Sequence, residues 1–176
     1  MVPPPVDDVS AVVASPDPEV PIATCDDVAA VAARLGRRPQ GRFAVVVRDV
    51  AGEPVVIRNE PLLDDGTPMP TRFWLVDPDL LRRIGTLEAA GGVRRAEAEV
   101  DTERLEATNR RAATERDAAI PETHAGPRPF GGVGGTRTGV KCLHAHYANF
   151  LATGDDPVGE WVEAQLNMVE TGADHA

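Results

Sequence analysis

Lysine is almost missing from this chain: Lys141 is the single one among 18 basic residues. Cysteine is scarce as well. Cys25 and Cys142 allow at most one intramolecular disulfide, which excludes a disulfide framework. Aromatic residues make up only 4%, so aliphatic side chains must fill any core, and a hydrophobic share of 42% is enough to build one. No apolar run approaches the length a bilayer-crossing helix needs. The opening MVPPPVDD has neither a basic n-region nor an apolar h-region, which argues against a secretory signal. The chain therefore reads as cytoplasmic and reduced, with no membrane association. Positive charge is short too: 18 cations face 28 acids, for a net charge of -10. That balance disfavours nucleic acid or anionic lipid as a partner. A length of 176 residues accommodates one compact domain and not two.

What is there has a bias of its own. Arginine-for-lysine usage, with abundant Ala, Gly, Pro and Val, fits a genome rich in G and C. A lone lysine that survives such a bias marks a position needing a compact ammonium, or it survives by chance.

Residues 1–22 carry six prolines and four acids with no base, which reads as a disordered tail. Thr24 or Asp26 can cap a short helix to Leu35, stopped by Gly36. Arg34, Arg37, Arg38, Arg42 and Arg48 follow without an intervening acid, as a solvated rim or an anion-binding face. RFAVVVR (42–48), PVVIR (54–58) and TRFWLV (71–76) predict three strands, the first two forming a hairpin. Asp77-Pro78 starts a helix striped by Leu80, Leu81, Ile84 and Leu87. Residues 94–117 hold six arginines and seven acids, and Val93 to Ala119 reads as one long polar helix or two broken near Thr108-Asn109. Its second half is expected to lean on a partner or a second copy of the chain. After the Gly-rich stretch GPRPFGGVGGTRTG (126–139), helices are expected from about Val140 to Thr153 and from Asp156-Pro157 onward. Trp74 and Trp161 are expected in the core. The organisation is then a tail (1–22), one α+β domain (23–169) and a flexible end (170–176). The fold class is α+β: a small antiparallel sheet of about three strands, packed by four or five helices, one long and polar.

Three phrases carry a family resemblance: GGTRTGVKCLHAHYANFLATGDDPVGEWV (134–162), LLDDGTPMPTRFWLVDP (62–78) and GTLEAAGGVR (85–94). They resemble the domain of unknown function 501 family, uncharacterised bacterial proteins mainly of actinobacteria, over roughly residues 26–168. VKCLH (140–144) is the most specific part. The resemblance implies a name and no mechanism. Gene neighbours in that family, a septum-formation initiator and an exopolyphosphatase-like protein, imply a division- or polyphosphate-related protein partner. Many relatives carry cysteines in the first hairpin, where this chain has Val50, Ala51 and Gly52, so no metal site is expected there.

Two places can carry chemistry. The glycines of the loop let backbone N–H groups form an anion-binding nest ahead of a helix N-terminus. Gly134, Gly135, Thr136, Arg137, Gly139 and Lys141 are the candidate residues, for phosphate, carboxylate or a nucleotide. A flexible connector is the alternative. It is not a phosphate-binding Walker loop, because Val140 intervenes between Gly139 and Lys141 and Cys142 replaces the hydroxyl residue. The second place is Cys142, His144 and His146. On a regular helix Cys142 and His146 lie about 40° apart, while His144 lies about 160° from His146, so one metal ion cannot take all three. No metal and no resident cofactor are expected. Cys142 and His146 remain candidates for a thiolate–imidazole couple, against a buried thiol and a hydrogen-bonded histidine. The functional expectation is a module binding an anionic small molecule or a protein partner. The alternative is an enzyme on a phosphate-containing substrate, with Cys142 or His146 in acid/base or nucleophilic work.

Overall fold

The computed structural model describes residues 21–173. The expectations for the tails at 1–20 and 174–176 lie outside the described residues.

Runs of β-branched residues build β1 (Phe43–Arg48) and β2 (Pro54–Asn59), joined by a turn at Asp49–Glu53. A short β3 (Phe73–Leu75) completes an antiparallel sheet in the order β1-β2-β3. Because successive side chains alternate between faces, the sheet has two cores. Phe43, Val45 and Ile57 face α1 (Cys25–Leu35) and pack with Val31 and Val76. Ala44, Val56, Phe73 and Leu75 point the other way, into the larger core built with the remaining helices.

Helix α1 starts as its sequence predicts. The Thr24 side chain accepts the Asp27 N–H and the Asp27 carboxylate accepts the Thr24 N–H, a reciprocal cap, and Gly36 ends the helix. Asp27 also takes Arg48 at 2.6 Å, and Arg34 reaches Glu53 and Asp77. Burial pushes the Asp27 carboxyl upward, but the bonds from Arg48 and Thr24 outweigh it and hold the group below the ordinary aspartate value.

Asp77 caps α2 (Pro78–Ala89) through the Leu80 N–H. The polar stretch is two helices, α3 (Gly92–Glu99) and α4 (Thr102–Ala118). The break falls at Val100-Asp101, not at Thr108-Asn109: Val100 is extended, and Asp101 caps a fresh helix on the Arg104 N–H. That break raises the count to six α-helices among the described residues.

The next correction concerns α5 (Leu143–Thr153), which begins three residues later than expected because Cys142 is extended and serves as its N-cap. Lys141 therefore precedes the helix. The last helix, α6 (Pro157–Ala173), lies against α5 at Gly159, where an added Cβ would collide with Phe150. Trp74 and Trp161 are at the margins of the two cores rather than inside them. Arg37 lies over Trp74, while Arg95 lies over Trp161, whose Nε1 donates to Glu99.

The inner face of α4 is half polar. Leu105, Thr108, Ala112 and Arg116 are its buried residues. The support sought in a partner for its second half is found within the chain, in contacts to the Gly-rich segment.

Candidate functional site

Arg116 is the hub of those contacts. Its side chain is 3% exposed, and its guanidinium donates to the carbonyls of Pro70, Pro129, Phe130 and Gly131, with Asp117 as its carboxylate partner. About two turns earlier, the Asn109 Oδ1 accepts the Val133 N–H at 2.9 Å. Gly132 has no room for a side chain, since a Cβ there would meet the Asn109 side chain. A single 3₁₀ turn at Val133–Gly135 then reverses the chain, with Gly134 at φ 69°. The loop is thus a fixed wall stapled to α4.

That wall separates two clefts. The larger, about 780 Å³, lies between α4 and the loop and is lined by Asn109, Arg110, Arg116, Phe130, Arg137 and Gly139 among others. Arg137 is exposed, lies over the Phe130 ring at 5.3 Å, and has no carboxylate partner among the described residues. Glu97, Glu106 and Asp117 also line this cleft. The smaller, about 190 Å³, lies between β3 and the start of α5 and is lined by Gly134, Lys141, Cys142 and His144.

The loop candidates therefore divide. Arg137 and Gly139 border the α4 cleft; Gly134 and Lys141 border the β3 groove. Thr136 donates its hydroxyl to Thr138, and Gly135 gives its N–H to Gly132. Two amides at the expected nest already hold the chain's own carboxylates: Glu97 accepts the Val140 N–H at 2.7 Å and Glu88 the Leu143 N–H at 2.6 Å.

Cys142 and His146 are also apart in their surroundings. His146 is fully buried, and its Nδ1 lies 2.9 and 3.1 Å from the two oxygens of Asp156. A carboxylate only accepts, so Nδ1 carries the proton. Asp156, equally buried, also accepts from Asn149 and from the Val158 and Gly159 amides, so it caps α6. The His146 Nε2 has no hydrogen-bond partner among the described residues. His144 turns the opposite way, to Glu88 at 3.2 Å and the Leu81 carbonyl at 3.1 Å. Burial pushes the Cys142 thiol up, and nearby amide N–H groups and Lys141 offset only part of it. A thiol so placed is a poor nucleophile at neutral pH. Among the described residues, no three His, Cys, Asp or Glu side chains cluster to hold a metal ion. No helix among them is long and apolar enough to cross a membrane.

Sequence reasoning missed Arg116 and Asn109. Their signal was the spacing 105, 109, 112, 116, which is one helical face, but Leu105 is its one large apolar residue, so the face read as solvated.

The architecture is that of an α+β protein whose Gly-rich segment, stapled to a polar helix, walls off two clefts. A family model described as "Protein of unknown function (DUF501)" matches residues 45–164, and the chain belongs to that family. No curated protein and no solved structure matches it.

Proposed function

We propose that this protein is a binding module whose ligand is an anionic small molecule seated in the cleft between α4 and the Gly-rich loop. The observation that carries the reading is Arg137, an exposed guanidinium 5.3 Å over the Phe130 ring, lining a cleft of about 780 Å³. A cleft of this size suits a metabolite or nucleotide. An arginine without a carboxylate partner offers a planar fork for phosphate or carboxylate. Arg110 adds a second cation from α4, though Glu106 lies 3.6 Å from it. Rigidity supports the reading further, because Arg116 and Asn109 fix the loop before a ligand arrives.

The test is a thermal-shift panel of inorganic phosphate, nucleoside phosphates and dicarboxylates at millimolar concentration. A ligand at a hundred times its Kd adds about 2.7 kcal/mol, which a melting curve resolves easily. The expected result is a rise in Tm with at least one member, erased in Arg137→Ala and kept in Lys141→Ala. No rise across the panel, or a rise that survives Arg137→Ala, overturns the assignment.

A further inference from the structure

β3 is the third strand of the sheet, and nothing pairs with its outer side among the described residues. The register fixes which groups that side presents. Asn59 donates its N–H to the Arg72 carbonyl and Val76 donates to the Val55 carbonyl. In an antiparallel ladder the residues facing the neighbour alternate, so Arg72, Trp74 and Val76 face β2. Phe73 and Leu75 then turn their N–H and C=O groups outward, and neither has a hydrogen bond among the described residues. A row of unpaired backbone groups is a template for another strand.

The edge does not face open solvent. It forms one side of the groove of about 190 Å³, with Thr71, Phe73 and Leu75 along the strand and Gly134, Lys141 and Ala145 opposite. Gly134 and Ala145 are the small residues of that lining. Lys141 is exposed and has no carboxylate partner among the described residues. On a chain of 28 acids and 18 basic residues, the one lysine stands without a carboxylate partner among the described residues, beside an unpaired strand edge. The helix terminus is not the attraction here, because Glu88 already holds the Leu143 N–H.

We propose that the outer edge of β3 docks an extended acidic segment of a partner protein, which adds a fourth strand beside Phe73–Leu75 and sets a carboxylate against Lys141. Backbone pairing supplies the attachment, and the charge selects the sequence. This site is separate from the α4 cleft, on the other side of the loop wall.

The probe is a series of short synthetic peptides of alternating Val and Thr with one Asp moved through each position. A parallel series carries Lys in place of Asp. Amide spectra of the ¹⁵N-labelled full chain report binding. The expected result is that Asp peptides shift the Phe73 and Leu75 amides and slow their hydrogen exchange, while Lys peptides do not. Methylating alternate peptide nitrogens should abolish the effect. Lys141→Ala should weaken binding about fivefold, as for an exposed charge pair, Lys141→Arg should retain it, and Lys141→Glu should reverse the preference toward Lys peptides. The site is exposed, so these variants should fold, and their spectra verify that directly. Three results overturn the proposal. Both peptide series fail to bind, which leaves Lys141 as the guard of a short edge. The Phe73 and Leu75 amides of the free, dilute protein are already protected. Protection rises with protein concentration alone, which assigns the edge to a second copy of the chain.

Discussion

Cys142 and His146 show how one residue's surroundings decide its chemistry. Both were candidates for a nucleophilic couple, and they occupy one helical turn. Yet Cys142 stands at the helix start beside a groove, and His146 is sealed against Asp156 with its Nδ1 proton engaged. The thiol sits above its usual pKa through burial, so little thiolate exists near neutrality. Cys25, by contrast, is exposed at the start of α1. Iodoacetamide at about pH 7.5, roughly one unit below the pKa of a free cysteine, should therefore modify Cys25 first and Cys142 at least about tenfold more slowly. Mass spectrometry of timed digests reads both rates. Faster labelling of Cys142 would show an activated thiol and return the enzyme reading to the front. The buried Asp156 also illustrates what spacing can and cannot disclose. Asp-Pro announces a helix start, and Asp156 does cap α6. Its second role, holding His146 ten residues earlier, depends on how α5 and α6 cross and has no local signal.

Among the elements, α4 departs most from its sequence impression. Its pattern is charged throughout, with few apolar residues to mark an inner face. The structure makes an inner face from Leu105, Thr108, Ala112 and Arg116, and fills the gap with hydrogen bonds to loop carbonyls. The strands and caps were legible because they obey local rules: β-branched runs, Asp77-Pro78, and Thr24 or Asp26 as the first cap, of which the structure uses Thr24. The loop's attachment was not legible, because Arg116 reaches carbonyls 13 to 15 residues ahead and one on Pro70, 46 residues back. The same distance hid the division of the loop candidates into two clefts. Replacing a buried charge by an apolar side chain can stabilise a protein when its partners leave too. Here the carbonyls stay, unsatisfied. Arg116→Met should cost about 2–4 kcal/mol in urea unfolding and speed amide exchange at Gly132, Val133 and Gly135. Arg116→Lys should recover only part, since one ammonium cannot replace a fork that spans several carbonyls. A neutral Arg116→Met would mean that Asn109 and packing hold the loop, and the preorganised cleft would lose its main support.

Across the whole molecule the sheet divides two unequal cores. The side packed by α2 to α6 buries many aliphatic residues around Leu143, Tyr147, Val158 and Val162. The α1 side rests on five buried residues, Val31, Phe43, Val45, Ile57 and Val76. Much of what fastens α1 is ionic: Asp27 to Arg48, and Arg34 to Glu53 and Asp77. The molecule should therefore come apart in stages when acidified. Asp27 has a folded-state pKa below its unfolded value. Its contribution is complete above the unfolded value near pH 4 and is lost as pH falls through the lower folded value, because the unfolded chain then binds the extra proton more readily. Hydrogen exchange at stepped pH, corrected for intrinsic rates, should show α1 losing protection below about pH 4 while α5 stays protected. Asp27→Asn removes the titrating group and the charge on Arg48's partner. In that variant α1 should already exchange faster at pH 6 (above the ordinary aspartate pKa of about 3.9) and should change less on acidification. Simultaneous loss of protection in α1 and α5 in the unmodified chain would show that the two cores unfold as one, and that the ionic fastening of α1 is incidental to its stability.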